Sequence, residues 1–318
     1  MACYHPLQGW QSKFLNENGK RPLVFNRRDG LEGSEMTVKC GGCLGCRLDY
    51  SRNWAIRSVH EASLHSQNCF VTLTFNNESL FSRDDPRSLD STDVPKFMKR
   101  FRRYLDYRNI EHDIKYFHVG EYGEKFKRPH YHLLLFNYDF PDKKPLIFRS
   151  YKMGNYPNQL LYTSEILKKL WPFGHSSIGS LTFNSAAYVS RYMLKKQKGN
   201  VDYVSGFDLK IDSDTGESLP VSPECCTKSL GIGKEWFNRY WSEVYPSDFI
   251  IHDSKKFSPP PYYDYLLQKK DPYLFDIVKE NRLESIRVSD DKDYMSRIAS
   301  ETIKLQQVTK LLRNLEND

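Results

Sequence analysis

The run Ile114-Lys115-Tyr116-Phe117-His118-Val119-Gly120-Glu121, the insert Tyr122-Gly123-Glu124-Lys125-Phe126-Lys127-Arg128-Pro129 and the run His130-Tyr131-His132-Leu133-Leu134-Leu135-Phe136 decide the fold. Two apolar-rich stretches joined by a polar, basic loop predict an antiparallel hairpin. On a strand, residues i and i+2 share a face, so His130 and His132 present two imidazoles to one side while Tyr131, Leu133 and Leu135 turn to the other. Two neighbouring imidazoles can hold one divalent metal. With nine histidines in the chain a chance pair is the competing reading, and the apolar strand around the pair weighs against it. Pairing of 121 with 130 would place Glu121 opposite His130 as a third, harder ligand. A slip of one residue would turn Glu121 away and leave Glu124 or His118 as substitutes, although the same register puts His118 on the other face. A two-histidine, one-carboxylate set with open positions suits Mg²⁺ or Mn²⁺ acting on a phosphoryl oxygen.

Upstream of the hairpin, Cys69-Phe70-Val71-Thr72-Leu73-Thr74-Phe75 is rich in β-branched and aromatic residues and ends at Asn76-Asn77, a strand followed by a turn. A helix is expected from about Arg47 to Leu64, with Trp54, Ile56, Val59 and Leu64 on its buried side. Val94, Phe97, Met98, Phe101, Tyr104 and Leu105 recur at spacings of three and four, which predicts an amphipathic helix with Asp93 as N-cap and Pro95 in its first turn. Its other side carries Lys96, Lys99, Arg100, Arg102, Arg103 and Arg108 against Asp106, a basic face suited to phosphate contact. A solvated helix face is the alternative. Lys96, Lys99, Arg100 and Arg103, with Lys125, Lys127 and Arg128 of the hairpin loop and Arg191 further on, are the candidate DNA contacts.

Downstream, a short helix near Thr163–Leu170, a strand near His175–Phe183 and a helix from about Asn184 to Lys196 complete the central unit. Tyr188 and Tyr192 lie four apart in that last helix, hence on one face, and Lys195 and Lys196 follow a turn later. Tyrosines at helical spacing usually pack, and the chain has 21 of them. Beside a metal pair, however, a tyrosine hydroxyl can act as a nucleophile on a phosphodiester, with lysine stabilising charge or assisting proton transfer. Residues 199–228 read as a long loop. After Pro259-Pro260-Pro261 a charged, largely helical tail begins. The irregular alternation gives an α+β fold: an antiparallel sheet with flanking helices, a Cys-rich N-terminal segment (1–66), a core (67–200), a loop and accessory segment (201–258) and a helical tail (259–318).

The net charge of +7, from 47 Lys+Arg against 40 Asp+Glu, favours a polyanionic partner where the charge is clustered. Three of the seven cysteines crowd into Cys40-Gly41-Gly42-Cys43-Leu44-Gly45-Cys46, unlike a secreted disulfide framework. Cys3 could add a fourth thiolate for a structural Zn²⁺. Free thiols in a reducing cytosol and, less favoured, an iron–sulfur cluster are the other readings. No apolar stretch reaches the length of a membrane span, no signal peptide is evident, and a cytosolic protein is expected.

Together these residues resemble the HUH endonucleases, and more closely the replication initiators of the gokushovirus group of microviruses. The resemblance covers most of residues 1–240. It rests on the cysteine cluster with Cys46-Arg47 and Trp54-Ala55-Ile56-Arg57, on Phe70-Val71-Thr72-Leu73-Thr74, on Gly120-Glu121-Tyr122-Gly123 with Arg128-Pro129-His130-Tyr131-His132, and on Ala187-Tyr188-Val189-Ser190-Arg191-Tyr192-Met193-Leu194-Lys195-Lys196. It implies an HUH core in which Thr72 and Thr74 are supporting positions, His130 and His132 metal ligands, and Tyr188 and Tyr192 alternating nucleophiles; Glu121 is the third-ligand candidate. Tyr131 replaces the usual aliphatic between the histidines. It further implies rolling-circle initiation on single-stranded phage origin DNA in the cytoplasm of an infected bacterium, through a 5′-phosphotyrosine and a freed 3′-OH. A host polymerase would extend that end. The chain has no P-loop, so unwinding would fall to a host helicase.

Two rivals come from other classes. One is a non-catalytic zinc-containing DNA-binding protein whose tyrosines stack on bases. The other, a phosphoesterase with paired His-x-Ser/Thr motifs, finds a single copy at His175-Ser176-Ser177.

Overall fold

The computed structural model describes residues 3–123, 126–146, 160–191, 209–211, 218–220, 222, 224–289 and 294–309. The chain begins with β1 (Leu7–Gln11), β2 (Leu23–Val24), β3 (Met36–Val38), α1 (Leu44–Ala62), β4 (Asn68–Thr74), α2 (Asn77–Phe81) and α3 (Asp93–Tyr107). Then come β5 (Lys115–Tyr122), β6 (Pro129–Phe136), β7 (Lys144–Pro145), β8 (Tyr162–Thr163), α4 (Glu165–Leu170), β9 (Ser176–Ser180) and α5 (Phe183–Arg191). Last are β10 (Leu209–Ile211), β11 (Ser218–Pro220), β12 (Cys225–Lys228), α6 (Lys234–Val244), β13 (Ile250–His252), β14 (Lys255–Phe257), α7 (Pro261–Lys270), α8 (Pro272–Ser289) and α9 (Tyr294–Thr309). The fold is mixed α+β with antiparallel sheets. Among the described residues no helix is long and apolar enough to cross a membrane.

The chain forms two compact units. One comes from Met1–Tyr50 and Ser289–Leu312, and in it β1 pairs antiparallel with β2 and β3. The other comes from Ser51–Lys196 and Asn200–Val288. It contains a seven-stranded sheet of order β12-β5-β6-β4-β9-β8-β7, every pairing antiparallel.

The two-residue period of β4 and β6 gives this sheet two different faces. Cys69, Val71 and Leu73 of β4 and Tyr131, Leu133 and Leu135 of β6 pack with Val94, Phe97, Met98, Phe101 and Leu105 of α3 and with Leu167, Leu170 and Trp171 from the α4 region. Each such side chain removed from water stabilises the fold by about 1.5–3 kcal/mol. The opposite face carries Phe70, Thr72, His130, His132 and Glu121. Here Trp54 of α1 meets Phe117 at 5.5 Å between ring centroids, and Tyr188 of α5 meets Phe70 at 6.3 Å. Beyond the sheet, Phe237 and Val244 of α6, Tyr263 and Leu267 of α7 and Val278 of α8 form a second core with Ile56 of α1.

Three local readings change. Thr92, not Asp93, occupies the N-cap of α3, and its side chain makes no capping bond. The Asp93 carboxylate is engaged elsewhere, accepting from the Tyr131 hydroxyl at 2.7 Å and facing Arg83 at 3.2 Å. Residues 199–228 are not all loop, because Cys225–Lys228 pairs with β5, Cys225 opposite Gly120 and Lys228 opposite Phe117. Gly120 is a close-approach position there, since an added Cβ would stand 2.9 Å from both Cys225 Sγ and Tyr131 Cε1. Segment 139–160, read as irregular, includes the short strand β7; residues 147–159 lie outside the described residues.

Candidate metal and nucleophile site

β5 and β6 pair with Glu121 opposite His130 and Val119 opposite His132, the register that turns Glu121 toward both imidazoles. On the other side of β6, β4 sets Thr72 opposite His132 and Thr74 opposite His130. Glu121 Oε1 lies 3.0 Å from His130 Nε2 and 2.6 Å from His132 Nε2. Glu121 is completely buried, and His130 and His132 are nearly so.

Each imidazole is oriented through its other nitrogen. His130 Nδ1 stands 3.2 Å from the Arg128 carbonyl, which can only accept, so Nδ1 carries the proton and Nε2 keeps its lone pair. His132 Nδ1 stands 3.0 Å from Thr72 Oγ1, and Phe70 stacks on the ring at 5.3 Å. Such outer contacts fix tautomer and direction in metal sites. The second carboxylate oxygen, Glu121 Oε2, is buried with no hydrogen-bond partner among the described residues. A buried oxygen left open beside two oriented imidazoles fits a divalent cation. Burial acts to raise the Glu121 carboxyl, but His132 and His130 outweigh it and hold the group below its ordinary value. For His132 burial dominates and lowers its basicity against the pull of Glu121, so the free imidazole is favoured.

α5 brings Tyr188 onto this group. Its hydroxyl donates to Glu121 Oε1 at 3.4 Å, and its ring meets His132 edge-on at 5.2 Å between centroids. Tyr188 is 2% exposed. Tyr192, Lys195 and Lys196, with Glu124 and Lys125 of the hairpin loop, lie outside the described residues, as does the Arg191 side chain.

Thr74 donates to the His175 carbonyl at 3.2 Å. His118, the other ligand substitute, points away from the site; it pairs with Thr227 at 2.8 Å, and burial pulls it down to about 4. Lys96, Lys99 and Arg103 are exposed on α3. Arg100 is half-buried and donates to the Leu170 carbonyl at 3.0 Å. Lys127 is exposed at the loop tip with φ 51°. Arg128 ties that loop to β4, donating to Asn77 at 2.7 Å and to the Phe75 carbonyl at 2.9 Å.

The second ligand cluster sits in the other unit: Cys3, Cys40, Cys43 and Cys46 lie with all four sulfurs within 4.8 Å of one another.

Three supporting roles escaped the sequence reading. Phe70 packs the His132 ring. Tyr131 anchors β6 from the far face, bonding to Asp93 and to the backbone of Asp90. Gly174 lets its segment run against the end of β4, where an added Cβ would stand 2.4 Å from Asn76 N. The alternation that places Tyr131 opposite the histidines was the signal for the second; nothing in the sequence marked Gly174.

The family model of the replication-associated protein ORF2 matches residues 68–197. The chain is similar to the replication-associated protein ORF2 of Spiroplasma virus 4, 31% identical over 98% of this chain and 97% of that protein. It is also similar to the replication-associated protein VP4 of Bdellovibrio phage phiMH2K, 31% identical over 86% of this chain and 79% of its relative. A third relative, the replication-associated protein ORF4 of Chlamydia phage 1, is 32% identical over 73% of this chain and 54% of its own length. No solved structure matches.

Proposed function

Because the chain belongs to the replication-associated proteins of gokushovirus-type microviruses, we propose that it initiates rolling-circle replication by nicking and rejoining single-stranded origin DNA with tyrosine nucleophiles on an HUH-type core. The observation that carries this reading is convergence: the Tyr188 hydroxyl and both histidine Nε2 atoms meet at one oxygen of Glu121. Packing alone gives no reason for a carboxylate, two imidazoles and a phenol to share a buried point.

His130, His132 and Glu121 would hold Mg²⁺ or Mn²⁺, which supplies Lewis-acid neutralisation of the attacked phosphate and orients it. The Tyr188 oxygen attacks phosphorus, the P–O3′ bond breaks, and the 3′ oxygen leaves as a hydroxyl while the 5′ phosphate stays on tyrosine. With so little exposure, Tyr188 meets a phosphate only when the face carrying it is opened. Tyr192 serves as the second nucleophile, which cuts and rejoins after one round, and Lys195 and Lys196 stabilise the phosphoryl charge. Lys96, Lys99 and Arg103 of α3, with Lys125, Lys127 and Arg191, contribute backbone contacts. Arg100 and Arg128, tied to backbone carbonyls, act more by holding the surface in shape. A host polymerase extends the freed end and a host helicase unwinds the duplex in the bacterial cytoplasm.

The test is incubation with labelled single-stranded origin DNA and Mn²⁺. A covalent protein–DNA adduct is expected that EDTA prevents and that Phe at both 188 and 192 abolishes. Absence of any adduct from phage-derived single strands would overturn the proposal, and a non-catalytic DNA-binding protein would keep its affinity in the double variant with no cleavage to lose.

A further inference from the structure

The nicking site makes no use of the sulfur cluster. Its four cysteines form no disulfide. Cys3 Sγ stands 3.6 Å from Cys40 Sγ and 3.9 Å from Cys43 Sγ. A disulfide needs about 2.05 Å, whereas four thiolates around one tetrahedral zinc at about 2.3 Å stand about 3.8 Å apart. The spacing is therefore that of a ligand set.

Backbone geometry points the same way. Cys40 N donates to Cys3 Sγ at 3.3 Å, Cys43 N to Cys40 Sγ at 3.3 Å and Tyr4 N to Cys43 Sγ at 3.4 Å. These N–H groups favour the thiolate, the form that binds metal. Cys46 lies in the first turn of α1, where the helix dipole adds to that preference. Cys43 and Cys46 are buried.

A further residue completes the arrangement from the far end of the chain. Glu301 of α9 accepts from Leu44 N, at the start of α1, at 3.0 Å, and its other oxygen lies 2.6 Å from His5 Nε2. One carboxylate thus holds both the segment after Cys3 and the helix start between Cys43 and Cys46.

We infer that Cys3, Cys40, Cys43 and Cys46 hold one structural zinc ion and that Glu301 clasps α9 onto this zinc-bearing knuckle. An all-sulfur set selects a soft or borderline metal over Mg²⁺ and Mn²⁺. Four protein ligands leave no open position, which makes the site structural. Metal loading and the Glu301 clasp together organise a unit whose three-stranded sheet is short.

The full chain, purified without added metal, is assayed by elemental analysis and then reloaded with Co²⁺. One zinc per chain is expected, together with the near-ultraviolet thiolate charge transfer and intense visible bands of tetrahedral cobalt. The double variant His130→Ala/His132→Ala should keep that zinc, and Cys43→Ser should lose it. Should Cys43→Ser fail to fold, the cobalt spectrum of the unaltered chain still decides. Glu301→Gln should retain the zinc but speed amide exchange in α9 relative to the unaltered chain. Four readily titrated thiols with no zinc, or zinc that disappears in the histidine variant and persists in Cys43→Ser, would overturn the site. Unchanged exchange in α9 would overturn the clasp.

Discussion

The two faces of the seven-stranded sheet are made by alternate residues of the same strands, yet they obey opposite rules. Toward α3, Val71, Leu73, Leu133 and Leu135 are fully buried among aromatic rings, and the polar atom this face buries on β6, the Tyr131 hydroxyl, is bonded to Asp93 and Asp90. On the opposite side the same strands bury two imidazoles, a carboxylate and a phenol, with one carboxylate oxygen still open. An apolar face gains stability with every well-filled volume, whereas a face with an unmatched buried oxygen forgoes stability where a ligand or a reaction requires the group. Substitution on one side should therefore change folding, and on the other chemistry.

Glu121→Ala gives the largest expected effect. Adduct formation in Mn²⁺ should fall by roughly 10³-fold, the scale of losing a main electrostatic contributor in a preorganised site. Thermal stability should change little, because the deletion also removes a buried charge. A variant that unfolded while its folded fraction nicked normally would break the contrast. Next comes Leu133→Ala on the α3 face, expected to cost about 2–5 kcal/mol by denaturant unfolding. Below its midpoint the variant should still bind Mn²⁺ with unchanged affinity; a matching loss of affinity would mean that the two faces are not separable.

Much of this division was legible in the sequence. His130-Tyr131-His132 with Leu133 and Leu135 states the alternation outright, and the 121–130 register follows from hairpin pairing. What was not legible depends on partners remote in sequence. Cys225–Lys228 has no periodicity of its own and becomes a strand only because the free edge of β5 accepts it. Asp93 sits where a cap belongs, yet Tyr131, 38 residues on, engages its carboxylate. Arg100 and Arg128 read as surface charge, because composition cannot distinguish a guanidinium facing solvent from one donating to the Leu170 or Phe75 carbonyl.

A third prediction sharpens the chemical side. Thr72 touches no ligand atom that would face the cation; it orients His132 through Nδ1. Thr72→Val keeps the shape and removes the hydroxyl, so Mn²⁺ affinity should weaken by about 10–100-fold, the usual cost of losing such an outer contact. Isothermal titration would measure it, and wild-type affinity would show that Phe70 stacking alone directs the ring.

The smallest effect is a pH slope, and it compares two buried glutamates on the site side of the sheet. Glu61 of α1 resembles Glu121 in burial but is fully matched: Oε1 receives Lys115 Nζ at 2.8 Å, with His65 Nε2 3.3 Å away, and Oε2 receives Gly233 N at 2.7 Å. Burial acts to raise its carboxyl, but Lys115, the Gly233 amide and His65 together bring it below the ordinary 4.5. The folded state thus holds the proton more weakly than the unfolded chain does. Its contribution is fully present above pH 4.5 and is lost as pH falls through the lower folded value. Glu61→Gln resembles the protonated group, so the gap in melting temperature between the unaltered chain and this variant should be widest near neutrality and narrow progressively below pH 4.5. A gap constant from neutral pH down to strongly acidic conditions would show that Glu61 is not held as a carboxylate. The matched glutamate would then differ from Glu121 in packing alone, and the open Oε2 of Glu121 would lose its value as a mark of function.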